Sequence, residues 1–241
     1  MKTPQEYEQA WETFWHDAPD EAGGVFWDSD PSLSAGRHQS HFTPWFDPGL
    51  PLVDLGCGNG TLTRWLAGRY PRVLGVDLAR AAVERAARDD PRGVAEYRQL
   101  DAGDLAAAAG LHADLGDMNV YMRGVLHQCE PADRAPLVAG IAELLGERGR
   151  VFAAELAEAA KGVLMGLATA PQGPPAKLGA VLGHGLVPGD VADAAVPGYF
   201  ADAGLKVFAR GEQALVTTEF DAGGNAIELP ANWLVAGRSE V

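Results

Sequence analysis

The sequence predicts an α/β fold: a doubly wound, mostly parallel sheet with an antiparallel hairpin at its C-terminal end. Three observations carry this. Short apolar runs alternate with helical segments from residue 50 to residue 156. Strands that alternate with helices of about 10 to 15 residues indicate βαβ units. The apolar runs are nearly continuous, as in strands buried on both faces. The first of them ends in "LVDLGCGNG", residues 52 to 60, where three glycines follow the strand at once.

Taken in order, the elements read as follows. Residues 4 to 17 form a helix: Pro4 suits a first turn, and Tyr7, Trp11, Phe14 and Trp15 recur at spacings of three and four. "APDEAGGVFWDSDPSLSAG" is a loop rich in turn residues, and a short helix runs through "RHQSHFTPWF". "PLVDLG" is a strand and "TLTRWLAGRY" a helix. "RVLGVDL" is a strand, followed by the helix "ARAAVERAARDD", with Ala81, Val83, Ala86 and Ala87 available for packing. "VAEYRQLD", "MNVYMRG" and "GRVFAAEL" are strands, separated by the helices "DLAAAAGLHADL" and "ADRAPLVAGIAELLG". After Leu156 the chain becomes rich in Gly and Pro, which predicts short helices and loops. The strand-like runs "LKVFARG", "QALVTTEF" and "NWLVAGR" then build the terminal antiparallel hairpin. Three regions result: an N-terminal helical lid or cap over 1–48, a core over 49–156, and an insertion with closing strands over 157–241.

Composition narrows the function. The chain has 241 residues and is 47% hydrophobic, enough for a sizeable core. It contains no apolar run of the length a membrane span needs. The opening segment "MKTPQEYEQAWETFWHD" carries acids where a signal peptide carries an apolar core, so a soluble, cytoplasmic protein is expected. Lys plus Arg is 19 against 33 for Asp plus Glu, a formal charge of −14. Phosphate backbones are held by Lys and Arg, so nucleic acid is an unlikely partner. Cys57 and Cys129 form no CxxC pair, and no metal site is expected.

In an open parallel sheet, ligands bind outside the carboxyl ends of the strands. The loop "GCGNG" stands there. Gly56, Gly58 and Gly60 leave the backbone bare and free to take positive φ. Dinucleotide-binding loops use G-x-G-x-x-G. Here the third glycine comes one place early, and Thr61 occupies the position of the last.

"VDLGCGNG" instead resembles motif I of the class I S-adenosylmethionine-dependent methyltransferases. The likeness continues at three further strand ends: "LGVDLA" with Asp77, "QLDAGDL" with Asp101, and "NVYMRGVLHQC". It implies a seven-stranded Rossmann-like methyltransferase fold with S-adenosyl-L-methionine as cofactor. By this resemblance, Gly56, Cys57, Gly58, Asn59 and Gly60 meet the amino-acid part of the cofactor. Asp54 contacts its ammonium or braces the loop. Asp77, followed by Leu78, takes the ribose hydroxyls, which a carboxylate can accept in pairs. Asp101 and Ala102 meet the adenine, and Arg123 holds a carboxylate.

Each role has a plainer counterpart. Asp77 and Asp101 can cap the helices that follow them. Arg37 and His38 reach the cofactor carboxylate or lie on a solvated helix face. His127, just past the fourth strand, is the candidate catalytic base or a polar rim group. Tyr7, Trp11 and His184 are candidate substrate residues. Tyr7, Trp11, Trp15, Phe26 and Trp27 cover the site or pin the first helix to the domain. The expected function is methyl transfer by in-line displacement to the oxygen, nitrogen or carbon of a small-molecule acceptor. The alternatives are a non-catalytic protein that binds S-adenosylmethionine or S-adenosylhomocysteine, a cofactor-assisted isomerase, and a nicotinamide oxidoreductase. No oligomeric state is implied.

Overall fold

The computed structural model describes residues 3–221 and 223–238. Residues 1–2, 222 and 239–241, which belong to the N-terminal and C-terminal regions delimited above, lie outside the described residues.

The alternation produces a doubly wound sheet. Strands β1 (Leu52–Leu55), β2 (Val73–Asp77), β3 (Glu96–Gln99), β4 (Asn119–Arg123) and β5 (Val151–Leu156) are parallel. β9 (Ala231–Gly237) pairs antiparallel with β5, and β6 (Lys206–Glu212) pairs antiparallel with β9. The seven-stranded order is β3-β2-β1-β4-β5-β9-β6. The chain reverses direction of travel between β1 and β4, which is where an open sheet leaves a crevice.

Successive residues on a strand face opposite sides. Val53, Leu55, Val120 and Met122 therefore meet α5 (Leu105–Leu115), α6 (Arg134–Leu145) and α9 (Ala195–Asp202) on one face. Leu52, Tyr121, Phe152 and Val235 meet α2 (Ala35–Phe42) and α3 (Thr61–Ala67) on the other. On this second face His38 is fully buried, 2.9 Å from the Tyr121 hydroxyl, and burial pushes its pKa down to about 3.

α1 (Pro4–Asp17) begins with a capping box, in which Thr3 and Glu6 satisfy each other's backbone donors. It lies against α4 (Arg80–Arg88), where Glu12 accepts a hydrogen bond from the Ala81 amide. α4 buries Ala82, Arg85 and Ala86; Ala81 and Val83 are only half-buried and Ala87 is exposed. The buried Arg85 donates to the Ala18 carbonyl at the end of α1, so the inward face of α4 is chosen by α1. α7 (Ala160–Ala168) and α8 (Ala176–Gly183) fill the Gly/Pro-rich insertion.

"QALVTTEF" does not join the main sheet. As β7 (Leu215–Phe220) it pairs with β8 (Ala226–Leu229) in a separate two-stranded ribbon, inserted between β6 and β9. This ribbon, α1, α7 and α8 share a third apolar cluster above the carboxyl ends of the strands, with Phe14, Trp15, Phe26, Leu178 and Leu229 at its centre.

Candidate functional site

A cavity of about 420 Å³ lies between that cluster and the carboxyl ends of β1, β2 and β4. Its volume falls in the range of small-ligand sites. Gly56 and Gly58 have φ of +76° and +54°, the left-handed region that glycine tolerates. Their missing side chains do not leave room for a ligand. A Cβ on Gly56 would lie 2.5 Å from Val125, and one on Gly58 would lie 2.6 Å from the ring of Trp15. The protein's own side chains thus approach the bare backbone from one side, and the loop's other edge lines the cavity. Gly60 is absent from the lining. It stands at the start of α3, packed toward Ala86 and Tyr97.

The loop is braced by carboxylates. Asp77, at the end of β2, accepts hydrogen bonds from the Gly58 amide at 2.9 Å and the Ala79 amide at 3.0 Å. Asp54 is buried in β1 and accepts one from the Thr63 hydroxyl at 2.6 Å. Burial pushes both carboxyls up to about 6. An ionised carboxylate in a desolvated wall is relieved by a cation, and Arg123 and Thr63 supply only part of that relief at Asp54. Asn59 donates to Asp28 across 2.7 Å, tying the glycine loop to the loop that follows α1. Cys57 is a buried filler whose thiol burial pushes up.

Asp101 is exposed at the cavity mouth and takes the Gly103 amide. It does not cap α5; Asp104 does, accepting from Ala106 and Ala107. Leu78 and Ala102 line the same end. Arg123 lines the cavity and donates to the Trp27 carbonyl at 2.7 Å. Tyr7, Trp11, Trp15, Phe26 and Trp27 all reach the cavity wall, while Phe14 stays in the cluster behind them. The aromatic set therefore pins α1 and covers the cavity at once.

His127 is buried at the far side, on the short helical turn Leu126–Gln128. Its Nδ1 lies 2.7 Å from Oε2 of Glu155, the last buried residue of β5. The same carboxylate accepts the amides of Val125, Leu126 and His127.

One expected substrate residue, His184, and the two helix residues Arg37 and His38 lie elsewhere. His184 ends α8 outside the cavity, bonded to the Ala180 carbonyl and Asp17 and packed on Phe14. α8 turns the ring toward Asp17 and Phe14 of α1. Arg37 pairs with Glu228 on the ribbon, and His38 is core rather than solvated face.

Glu155 and Asp28 are the residues that sequence reasoning missed. Glu155 had a signal: a lone acid in the apolar run "VFAAEL" must find partners once buried. Asp28 had none beyond its place in a loop.

The core and the fold have counterparts among known proteins. The family described as "Methyltransferase domain" matches residues 52–149. A crystal structure of an S-adenosylmethionine-dependent methyltransferase from Anabaena variabilis superposes with a TM-score of 0.88 at 29% identity, covering 99% of this chain and 96% of that one. The ubiquinone biosynthesis O-methyltransferase of Leptothrix cholodnii is 31% identical over 122 residues, 49% of each chain. That of Thiobacillus denitrificans is 33% identical over 128 residues, 50% of this chain and 53% of that one. The chain thus spans about half the length of the curated relatives it matches. Residues 52–149 are thus similar to the methyltransferase domain family, and the whole chain has the fold of the Anabaena variabilis S-adenosylmethionine-dependent methyltransferase.

Proposed function

We propose that the chain transfers a methyl group from S-adenosylmethionine to a small-molecule acceptor by in-line displacement. The observation that carries this reading is one cavity that brings unlike groups together: the bare backbone of Gly56 and Gly58, the carboxylates Asp54, Asp77 and Asp101, apolar walls and His127. The donor set fits the cofactor: carboxylates held in a desolvated wall suit a ligand that carries a sulfonium and an ammonium. Asp77 keeps lone pairs for ribose hydroxyls while bracing the loop, since a carboxylate accepts about four bonds. In this reading Asp101, which does not cap α5 and lines the cavity mouth, meets the adenine, and Asp54 with Arg123 meets the amino-acid part.

Bound there, the cofactor supplies a methyl group on a good leaving group. The protein's residues then orient the acceptor and exclude water. Such positioning is worth roughly 7 to 11 kcal/mol of barrier. His127 takes the acceptor's proton. In this reading residues 1–48 are the lid, residues 49–156 the cofactor-binding core, and residues 157–241 the substrate wall with the closing strands. Names among the relatives support a small-molecule oxygen acceptor.

The test is release of S-adenosylhomocysteine from S-adenosylmethionine in the presence of an acceptor pool, together with calorimetry of S-adenosylmethionine against NAD. Tighter binding of S-adenosylmethionine and acceptor-dependent release are expected. Preference for NAD would sink the reading.

A further inference from the structure

Glu155 is saturated with donors. Its Oε1 accepts the amides of Val125 at 3.0 Å and Leu126 at 2.9 Å, and its Oε2 accepts the amide of His127 at 3.2 Å. A main-chain amide can only donate. Both carboxylate oxygens are therefore acceptors, and the fourth contact, 2.7 Å from His127 Nδ1, is completed by an Nδ1–H donor. The backbone bonds also fix the strap 125–127 to the end of β5, which sets where the ring starts, and the Nδ1 contact sets its orientation. Nε2 has no hydrogen-bond partner among the described residues, and His127 lines the cavity.

The rest of the wall limits what can sit opposite Nε2. Trp27, Leu156, Leu164, Leu178, Leu186 and Leu229 are apolar. Arg123 is the only Lys or Arg among the described lining residues; it donates to the Trp27 carbonyl, faces Asp54, and in the proposed function is taken up by the amino-acid part of the cofactor. The other charged groups on the wall are carboxylates, Asp28 and Asp133 among them. An anionic acceptor would lose its hydration without gaining a free cation. Tyr7 and Cys129 also face this region. Burial pushes both up, the Cys129 thiol to about 12, so neither ionises near neutrality.

We propose that Glu155 is the positioning residue that holds His127 as its Nδ1–H tautomer with Nε2 free toward the cavity, and that the acceptor is a neutral, largely apolar molecule whose methylated atom arrives as a hydroxyl. The acceptor half of this rests on the methyltransferase reading; the tautomer half does not. A neutral amine attacks through its own lone pair and sheds its proton later. A hydroxyl gains most from a base during attack. The acceptor O–H bond breaks toward Nε2, the oxygen bonds the methyl carbon, the C–S electron pair stays on sulfur, and the imidazolium releases its proton to solvent.

The first test needs no turnover. With ¹⁵N-histidine labelling, His127 (identified by its loss in His127→Asn) shows a protonated Nδ1 and a bare Nε2 at neutral pH. Glu155→Gln, whose amide would donate to Nδ1, reverses this pattern. A wild-type Nε2–H tautomer overturns the proposal even if Glu155→Gln fails to fold. The second test uses 4-butylcatechol, 4-butylaniline and 4-butylbenzoate on the protein loaded with S-adenosylhomocysteine. The catechol should bind at least about tenfold more tightly than the benzoate. Tighter binding of the benzoate, or of none of the three, overturns the acceptor class. With a hydroxyl acceptor, Glu155→Gln should lower kcat about 100-fold, leave KM for S-adenosylmethionine within about threefold and abolish the rise of rate with pH. A retained kcat and pH profile would return Glu155 to a purely structural role. Failure of S-adenosylmethionine itself to bind would instead count against the methyltransferase reading and leave the ¹⁵N result standing.

Discussion

Trp15 lies across Gly58: a Cβ at that glycine would stand 2.6 Å from the indole Cζ2 and 2.8 Å from Cη2. A residue of the first helix and a residue of the first strand's loop thus share one volume. Gly58→Ala must take a left-handed φ, at roughly 1–2 kcal/mol, and must also displace the indole, at roughly 1–3 kcal/mol. The variant should melt several degrees lower and bind S-adenosylmethionine more weakly. In a double-mutant cycle with Trp15→Ala, thermal melts should show a coupling of about 1 kcal/mol or more. Additive effects would mean that the two residues do not press on each other.

Asp77 serves the loop before it serves any ligand. Asp77→Ala leaves the Gly58 and Ala79 amides without their acceptor. It should cost about 1–3 kcal/mol of stability and weaken cofactor binding by roughly 1.5 to 3 kcal/mol. Calorimetry separates the two losses. Unchanged cofactor affinity would show that the ribose lies elsewhere.

The buried carboxyls make cofactor binding depend on pH. Asp54 and Asp77 are both raised by burial to about 6. The folded, ligand-free protein therefore keeps protons that the unfolded chain has already lost. The stability these groups contribute is full below about pH 4 and disappears as pH rises through about 6. A cationic ligand has the opposite preference, because it favours the ionised forms. Affinity for S-adenosylmethionine should rise about tenfold between pH 5 and pH 7.5, with proton release on binding. Calorimetry in buffers of different ionisation enthalpy measures this, and Asp54→Asn should flatten the curve.

His127→Asn should lower turnover about 100-fold with cofactor affinity unchanged, as expected for loss of a general base. Single-turnover rates give the answer. A fall of only a few-fold would assign the imidazole to shaping the pocket.

Asp28 joins the loop after α1 to the glycine loop through Asn59, 2.7 Å away. Asp28→Ala strands a buried amide at about 1–3 kcal/mol. KM for the cofactor should rise about tenfold. Asn59→Ala should do much the same, and the double variant little more, since both remove one link.

Most of the fold was legible because its signals are local. The period of three to four in Tyr7, Trp11, Phe14 and Trp15 marks α1, and the apolar runs mark β1 to β5. What escaped depends on distant partners. The inward face of α4 is selected by α1 through Arg85 and Ala18, not by the pattern of alanines. "QALVTTEF" alternates like an edge strand, yet its partner is β8. In the site, the strand-end acids and His127 could be named because each follows a strand directly. Glu155 and Asp28 could not be joined to them, since their bonds reach 28 and 31 residues along the chain.

The ribbon between β6 and β9 has a consequence for assembly. Thr218 donates its amide to the Phe26 carbonyl and its hydroxyl to Val25, while Lys177 gives its amide to Glu219. The roof over the cavity is woven from the loop around Phe26, from α8 and from β7. During synthesis the floor can form as soon as β5 has emerged, but it stays open until the β7–β8 ribbon arrives and stitches the loop after α1 down.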